Sequence, residues 1–289
     1  RYLAGLLDEA WRSAEAAAKG PITPLGEPAR KHPGATVVPT DHAERDILAK
    51  RLIADRCLYG VDKNPLAVEM AKLSLWLITL DKHRPFTFLD HALKAGDSLV
   101  GVSLEQLEHW NLDTSGAPDL CAEGIRHDVQ RVVELRREIA RQPVDTIADL
   151  ETKRDLLVKA EAMTHDLRDA ADLLVASYFN DLNARDQQAL RDTLLHALQR
   201  GEDIPDEVAQ HADLGGLRPF HWDLQFPEVF LNGRGGFDAF IGNPPFIGGR
   251  RIRESLGDRY RDYLYVQYPG SSGNADLSAF FYLRAFNNL

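Results

Sequence analysis

The sequence predicts an α/β protein: a doubly wound, mostly parallel sheet with an inserted helical hairpin. Three observations predict it. Short apolar runs alternate with longer patterns of helical period, the order that produces strand–helix–strand crossovers. The stretch Leu58 to Leu77 combines the signals of a strand, a tight turn and a helix. Phe237 to Ile241 is almost continuously apolar, as a strand covered on both faces must be.

Residues 2 to 19 place Leu3, Leu6, Leu7 and Trp11 at helical spacing ahead of an alanine-rich stretch, so an amphipathic helix is expected. Prolines at 21, 24, 28, 33 and 39 forbid regular helix from Gly20 to about His42 and predict a surface loop. A second helix is expected over Ala43 to Ala54. Cys57 to Val61 predicts a strand ending in Asp62, Lys63, Asn64 and Pro65. Asn64 suits a helix cap and Pro65 a first helical position. Leu66, Met70, Leu73 and Leu77 are expected to form the core stripe of a helix running through Leu80. His91 to Ala95 predicts another strand before the turn Gly96, Asp97, Ser98, and a loop follows to about Gly124.

From 125 to 200 the chain becomes charge-rich, with Val129, Val132, Val133, Leu156, Leu157, Leu167, Leu173 and Leu174 at three and four spacing. This predicts helices whose charges form a solvated face. The α/β pattern resumes near Pro219, and Trp222, Phe226 and Phe230 at fourfold spacing read as either a core-facing turn or an exposed aromatic surface, the core being favoured. The expected organisation is a core contributed by 1–124 and 213–289, interrupted by a helical insertion over 125–212.

The 289 residues suffice for a packed core. Cys57 and Cys121 are the only cysteines, with no CxxC pair and no His/Cys cluster at ligand spacing, so reduced thiols and no metal site are expected. No apolar run is long enough for a bilayer and no leader precedes the first helix, which predicts a cytoplasmic protein without a membrane partner. A net charge of -10 argues against coating nucleic acid by bulk electrostatics, while leaving room for a local basic strip. The chain opens on Arg1 and closes on Asn287, Asn288 and Leu289 in a helical pattern, which reads as a piece of a longer protein.

The chemistry-bearing segment is Asn243, Pro244, Pro245, Phe246, directly after the apolar run and Gly242. Ligands of open parallel sheets bind beyond the carboxyl ends of strands, so this rigid turn is expected to project into a site. An exocyclic amine such as adenine N6 is a poor nucleophile, because its lone pair is shared with the ring. Methylation develops positive charge on the nitrogen. The Asn243 amide oxygen and the Pro244 carbonyl are suited to accept its two N–H bonds, aiming the lone pair at a methyl donor, with Phe246 stacked on the base. The alternative is a proline-rich turn with a core phenylalanine.

Asp62 stands where a strand meets a helix start, the geometry in which a carboxylate holds ribose hydroxyls, although it also suits a cap. Asp97 follows the next expected strand and is suited to accept from an adenine amine, although Gly-Asp-Ser is also a common turn. Beyond the turn, Arg250, Arg251, Arg253, Arg259 and Arg261 interleave with Tyr260, Tyr263 and Tyr265. They read either as phosphate contacts or as a solvated loop paired with Glu254, Asp258 and Asp262.

Three stretches, LYGVDKNPLAVEMAKLSLWL (58–77), AGDSLVG (95–101) and FHWDLQFPEVFLNGRGGFDAFIGNPPFIG (220–248), resemble the adenine-N6 DNA methyltransferases of single-chain restriction-modification and phage-defence systems. The resemblance implies a Rossmann-like methyltransferase core, S-adenosyl-L-methionine as cofactor and double-stranded DNA as substrate, the target base being flipped out. It makes Asp62 the ribose-binding acid, Asp97 the adenine-binding acid, and Asn243, Pro244, Pro245 and Phe246 the catalytic motif. Arg250, Arg251 and Arg253 become candidate DNA contacts. NADLSAFFYLRA (274–285) is similar to the family's next conserved helix, with Ser278 where an aromatic residue is common. The family's glycine-rich cofactor loop and target-recognition domain have no counterpart in this sequence, which puts cofactor binding by this stretch alone in doubt. A nuclease domain stays unassigned.

Related Asn-Pro-Pro-aromatic turns act on a release-factor glutamine or an rRNA guanine, and both remain alternatives, as does a non-catalytic DNA-binding fragment. A nicotinamide-dependent oxidoreductase fits less well, since no dinucleotide glycine fingerprint is present.

Overall fold

Caps and breakers set the helices near where the spacing predicts them. The computed structural model describes residues 1–82, 84–118, 122–142, 144–231, 235–271 and 274–289. α1 (Tyr2–Ala18) ends where Lys19 turns left-handed at φ 51, ahead of Gly20 and Pro21. α2 (His42–Arg56) starts at Asp41, whose carboxylate accepts the backbone N–H of Ala43 and Glu44. β1 (Gly60–Asp62), α3 (Pro65–Ile78) and β2 (Leu93–Ala95) form the expected strand–helix–strand unit. Gly60 N–H donates to the Ala92 carbonyl at 2.9 Å and Gly96 N–H to the Asp62 carbonyl at 3.0 Å, a parallel register.

α4 (Leu104–Glu108) carries a reciprocal capping box between Ser103 and Gln106 within the segment expected to be loop. The charge-rich region forms α5 (Ala122–Arg141), α6 (Ile147–Met163), α7 (His165–Ala176), α8 (Ala184–Arg200) and α9 (Asp206–Ala209). α10 (Trp222–Gln225), α11 (Pro227–Phe230), α12 (Gly249–Leu256), α13 (Asp258–Gln267) and α14 (Leu277–Asn287) complete the described elements.

The chain divides into two compact units: residues 1–60, 65–94 and 140–155 form one, and residues 61–64, 95–139 and 156–289 the other. The first has a core of Ala4, Trp11, Ile22, Val38, Leu48 and Ala49. Arg45 spans α1 and α2, donating to Asp8 and Glu15 at 2.8 Å each. Lys153, fully buried, reaches both oxygens of Asp55 at 3.0 Å. The second unit is centred on Leu99, Val100, Leu174, Leu194, Tyr263 and Phe280.

The architecture is mixed α/β and mostly helical, with one small parallel sheet among the described residues. Besides α4, and strands shorter than the expected 57–61 and 91–95, further sequence expectations differ from it. Phe237 to Ile241 is not a strand. The Phe237 N–H bonds the Asn288 carbonyl just past α14 rather than a neighbouring strand, and Ile241 is fully exposed. An apolar run without a ladder partner has nothing to hold it as sheet. Leu66, Met70, Leu73 and Leu77 are exposed instead of forming a core stripe, while α3 buries Val68 and Lys72. Strands of three residues offer little sheet face to a helix of 14. Leu3 and Leu6 of α1 are likewise exposed, although Trp11 is buried.

The expected hairpin is a longer series of helices. Asn183 caps α8 by accepting from Asp186 N–H, and Gly201, left-handed at φ 62, ends it. The insertion's apolar residues Val129, Val132, Val133, Leu156, Leu157 and Leu174 are buried, as their spacing predicts, while Leu167 and Leu173 are half-buried. Trp222 and Phe226 are buried too. Cys57 is exposed and in no disulfide, and Cys121 lies outside the described residues.

Candidate active site

Parallel pairing of β1 with β2 brings the two acids to corresponding places, because Asp62 ends β1 and Asp97 follows β2 by two residues. Both lie at the carboxyl ends of adjacent strands, where open α/β sheets bind ligands. Asp62 is exposed, and its Oδ1 accepts the Asn64 N–H at 2.7 Å. This local bond fixes the turn into α3 and leaves the second oxygen facing solvent.

Asp97 is 4 % exposed, and its surroundings are elaborate. Its backbone N–H donates to the Arg218 carbonyl at 2.7 Å, and its Oδ1 accepts the Leu99 N–H at 3.1 Å. The Tyr260 hydroxyl lies 3.1 Å from each carboxylate oxygen, and the Lys63 ammonium 3.0 Å from Oδ2. Burial, then the charge of Asp97, pushes the Tyr260 hydroxyl far above its ordinary pKa, so it remains a proton donor.

The loop after Asp97 is clamped on every side. Tyr263 accepts from Gly101 N–H at 3.1 Å and donates to the Gly101 carbonyl at 2.9 Å. Arg284 reaches the Leu99 and Gly101 carbonyls at 3.2 Å each, and the Trp222 indole N–H donates to the Ser98 carbonyl at 3.1 Å. His221 Nδ1 accepts the Val102 N–H at 3.1 Å, which leaves the proton on Nε2 to donate to Asp172 at 3.0 Å. A loop with so many fixed groups presents Asp97 on a rigid mount.

The segment Asn243, Pro244, Pro245, Phe246 is irregular; Pro244 is half-buried and the others are exposed, Phe246 to 78 %. Phe246 is therefore not a core residue. The turn is secured just beyond the motif. Ile247 N–H donates to the Pro245 carbonyl at 3.2 Å, and the Ile247 carbonyl accepts from Leu277 N–H at 2.8 Å at the start of α14. Gly249 sits so close to Asn274 and Ala275 that a Cβ there would fall within 2.8 Å of backbone.

α12 then presents Arg250 and Arg251 to solvent without an ion pair among the described residues, while Arg253 pairs with Asp258 at 2.8 Å. Arg259 pairs with Asp181, and Arg261 with Asp258 and Asp262. Tyr260 and Tyr263, read from sequence among the surface arginines, are buried.

Lys63, Tyr260, Tyr263, His221 and Arg284 are the site residues the sequence reading did not identify. Tyr260, Tyr263 and Leu264 recur at helical spacing in α13, and that apolar stripe was the available signal. No group of His, Cys, Asp or Glu among the described residues is placed to hold a metal ion, and no helix among them is long and apolar enough to cross a membrane.

The chain thus offers an exposed carboxylate, a buried carboxylate and an exposed amide–aromatic turn. Such acceptors are chemically suited to the hydroxyls and amines of a nucleoside.

Residues 56–289 match the model of the Eco57I restriction-modification methylase family. A Methanocaldococcus jannaschii protein named "Putative type II restriction enzyme and methyltransferase RM.MjaORFECS2P" is 24% identical over 233 residues, covering 70% of this chain and 19% of its own length. The chain thus spans about a fifth of that relative. No solved structure matches it. With the family model covering most of the sequence, the chain belongs to the Eco57I restriction-modification methylases.

Proposed function

We propose that this chain is the catalytic region of a DNA adenine-N6 methyltransferase that uses S-adenosyl-L-methionine. Residues 1–124 and 213–289 form its Rossmann-like, doubly wound core, and 125–212 its helical insertion. The observation that carries this reading is the pair Asp62 and Asp97 at the carboxyl ends of adjacent parallel strands. Asp62 accepts the ribose hydroxyls, and Asp97 the adenine amine of the cofactor. When bound, S-adenosylmethionine supplies an electrophilic methyl group.

The chain's own residues prepare the acceptor. The target adenine is flipped from double-stranded DNA onto the exposed turn. The Asn243 amide oxygen and the Pro244 carbonyl accept its two N–H bonds, stabilising the charge that grows on nitrogen. Phe246 stacks on the base, a contact worth about 1 to 3 kcal/mol. Arg250 and Arg251 lie on the helix that follows the turn and are free to meet phosphates. The protein works in the cytoplasm, and target recognition is supplied by other parts of a longer protein.

The test is incubation of the intact protein with tritiated S-adenosylmethionine and mixed double-stranded DNA, followed by nucleoside digestion and mass identification. Label in N6-methyladenine is expected, and Asn243→Ala abolishes it while circular dichroism stays that of the wild type. Label on RNA or protein instead would move the assignment to an rRNA guanine or a glutamine amide.

A further inference from the structure

We propose that Tyr260 is a positioning residue for the nucleoside site, its hydroxyl fixing the Asp97 carboxylate in the orientation that receives an adenine amine. The inference rests on the assignment of Asp97 above.

A carboxylate rotates readily about its last torsion, which has only a broad, roughly two-fold preference. The Asp97 backbone is fixed by its bond to Arg218, but that bond does not set the plane of the side chain. The Leu99 N–H on Oδ1 and the Tyr260 hydroxyl set it together. The hydroxyl stands 3.1 Å from both carboxylate oxygens, so it holds Oδ2 as well as the oxygen that Leu99 already bonds. The tyrosine is itself held in place, being 5 % exposed with its ring edge-on to Phe179 at 6.4 Å.

With Tyr260 shared by the two oxygens and Leu99 N–H on Oδ1, Oδ2 is the oxygen with acceptor capacity left for a ligand. Lys63 meets that oxygen at 3.0 Å, with its ammonium 5.4 Å from the Tyr260 ring centroid. Lys63 differs from Tyr260 in being mostly exposed, on a flexible side chain that can swing into water. The two partners of Asp97 therefore have different standing: the phenol is permanent, and the ammonium is exchangeable for a ligand N–H.

The experiment compares two ligands by calorimetry on the intact protein: S-adenosylhomocysteine and its analogue with hydrogen in place of the 6-amino group. Wild-type protein favours the amine ligand, and Asp97→Asn removes that preference. Tyr260→Phe, which keeps the buried ring, reduces the preference by about tenfold, as expected for loss of one charge-assisted bond that orients the acceptor. Lys63→Met, a change at an exposed position, raises affinity for the amine ligand because the competing ammonium is gone.

If Tyr260→Phe weakens both ligands equally, or leaves the ratio at its wild-type value, the positioning role is overturned while the Asp97 assignment stands. If Lys63→Met weakens binding, the exchange of ammonium for amine is overturned. Should wild type show no preference for the amine, or Asp97→Asn keep it, the assignment of Asp97 falls and this inference falls with it.

Discussion

At Gly101 the backbone leaves no room for a side chain. A Cβ there would stand 2.2 Å from the Phe220 carbonyl oxygen, and the residue's φ of 154 already strains a non-glycine residue. Gly101→Ala must therefore push the loop off Phe220 and loosen the bonds to Tyr263 and Arg284. A loss of about 3 kcal/mol is expected in denaturant unfolding, with weaker nucleoside binding because Asp97 lies on the same loop. A wild-type midpoint would show that the close approach does not exist. Individual residues were legible in the sequence where local turn geometry decides their place, as at Asp62 and Asp97, which stand at the end of β1 and just past β2. Tyr260 was not, because its meaning depends on which side of α13 faces inward. Its neighbours Arg259 and Arg261 suggested surface, whereas the stripe through Tyr263 and Leu264 turns it into the core.

Among the elements, the α1–α2 pair shows how one buried cation organises two helices. Arg45 donates to Asp8 and Glu15, accepts no substitute for its fork of donors, and also reaches the Pro39 carbonyl at 3.2 Å. Arg45→Met is expected to cost about 1 to 3 kcal/mol, since the two carboxylates it leaves are partly solvated. The Arg45 guanidinium holds the Asp8 carboxyl below its ordinary value of 3.8. The stability contributed by this pair is thus present above that value and lost as pH falls through the lower folded value. Urea midpoints of wild type and variant should converge below about pH 4 and separate above it. A constant gap across that range would remove Asp8 from the account. Elements with their own punctuation were legible: Pro65 starts α3, Gly20 and Pro21 follow α1, and Asn183 and Gly201 bound α8. Phe237 to Ile241 was misread because strand identity lies in a partner's hydrogen bonds, which hydropathy does not contain. The exposed stripe of α3 was misread for the same reason, since spacing shows that a helix has an apolar face but not what covers it.

For the chain as a whole, charge constrains how the proposed DNA substrate would be met. A net charge of -10 repels a polyanion at long range, so attraction must come from a local cluster that outweighs it at short range. The α12 arginines differ in their readiness to supply it. Arg250 and Arg251 have no ion pair among the described residues, whereas Arg253 must first leave Asp258. On the proposed reading, replacing both Arg250 and Arg251 by Ala removes two phosphate contacts. The slope of log Kobs against log salt then falls in magnitude by about 2 in a titration of the intact protein with duplex DNA. Sequence preference stays unchanged, because phosphate contacts carry no base information. Arg253→Ala has a smaller effect on the slope, its charge being already half neutralised by Asp258. An unchanged slope in the double variant would place the DNA elsewhere on the surface. An equal effect from Arg253→Ala would show that DNA displaces Asp258 without cost, and that ion pairing on α12 does not rank these residues.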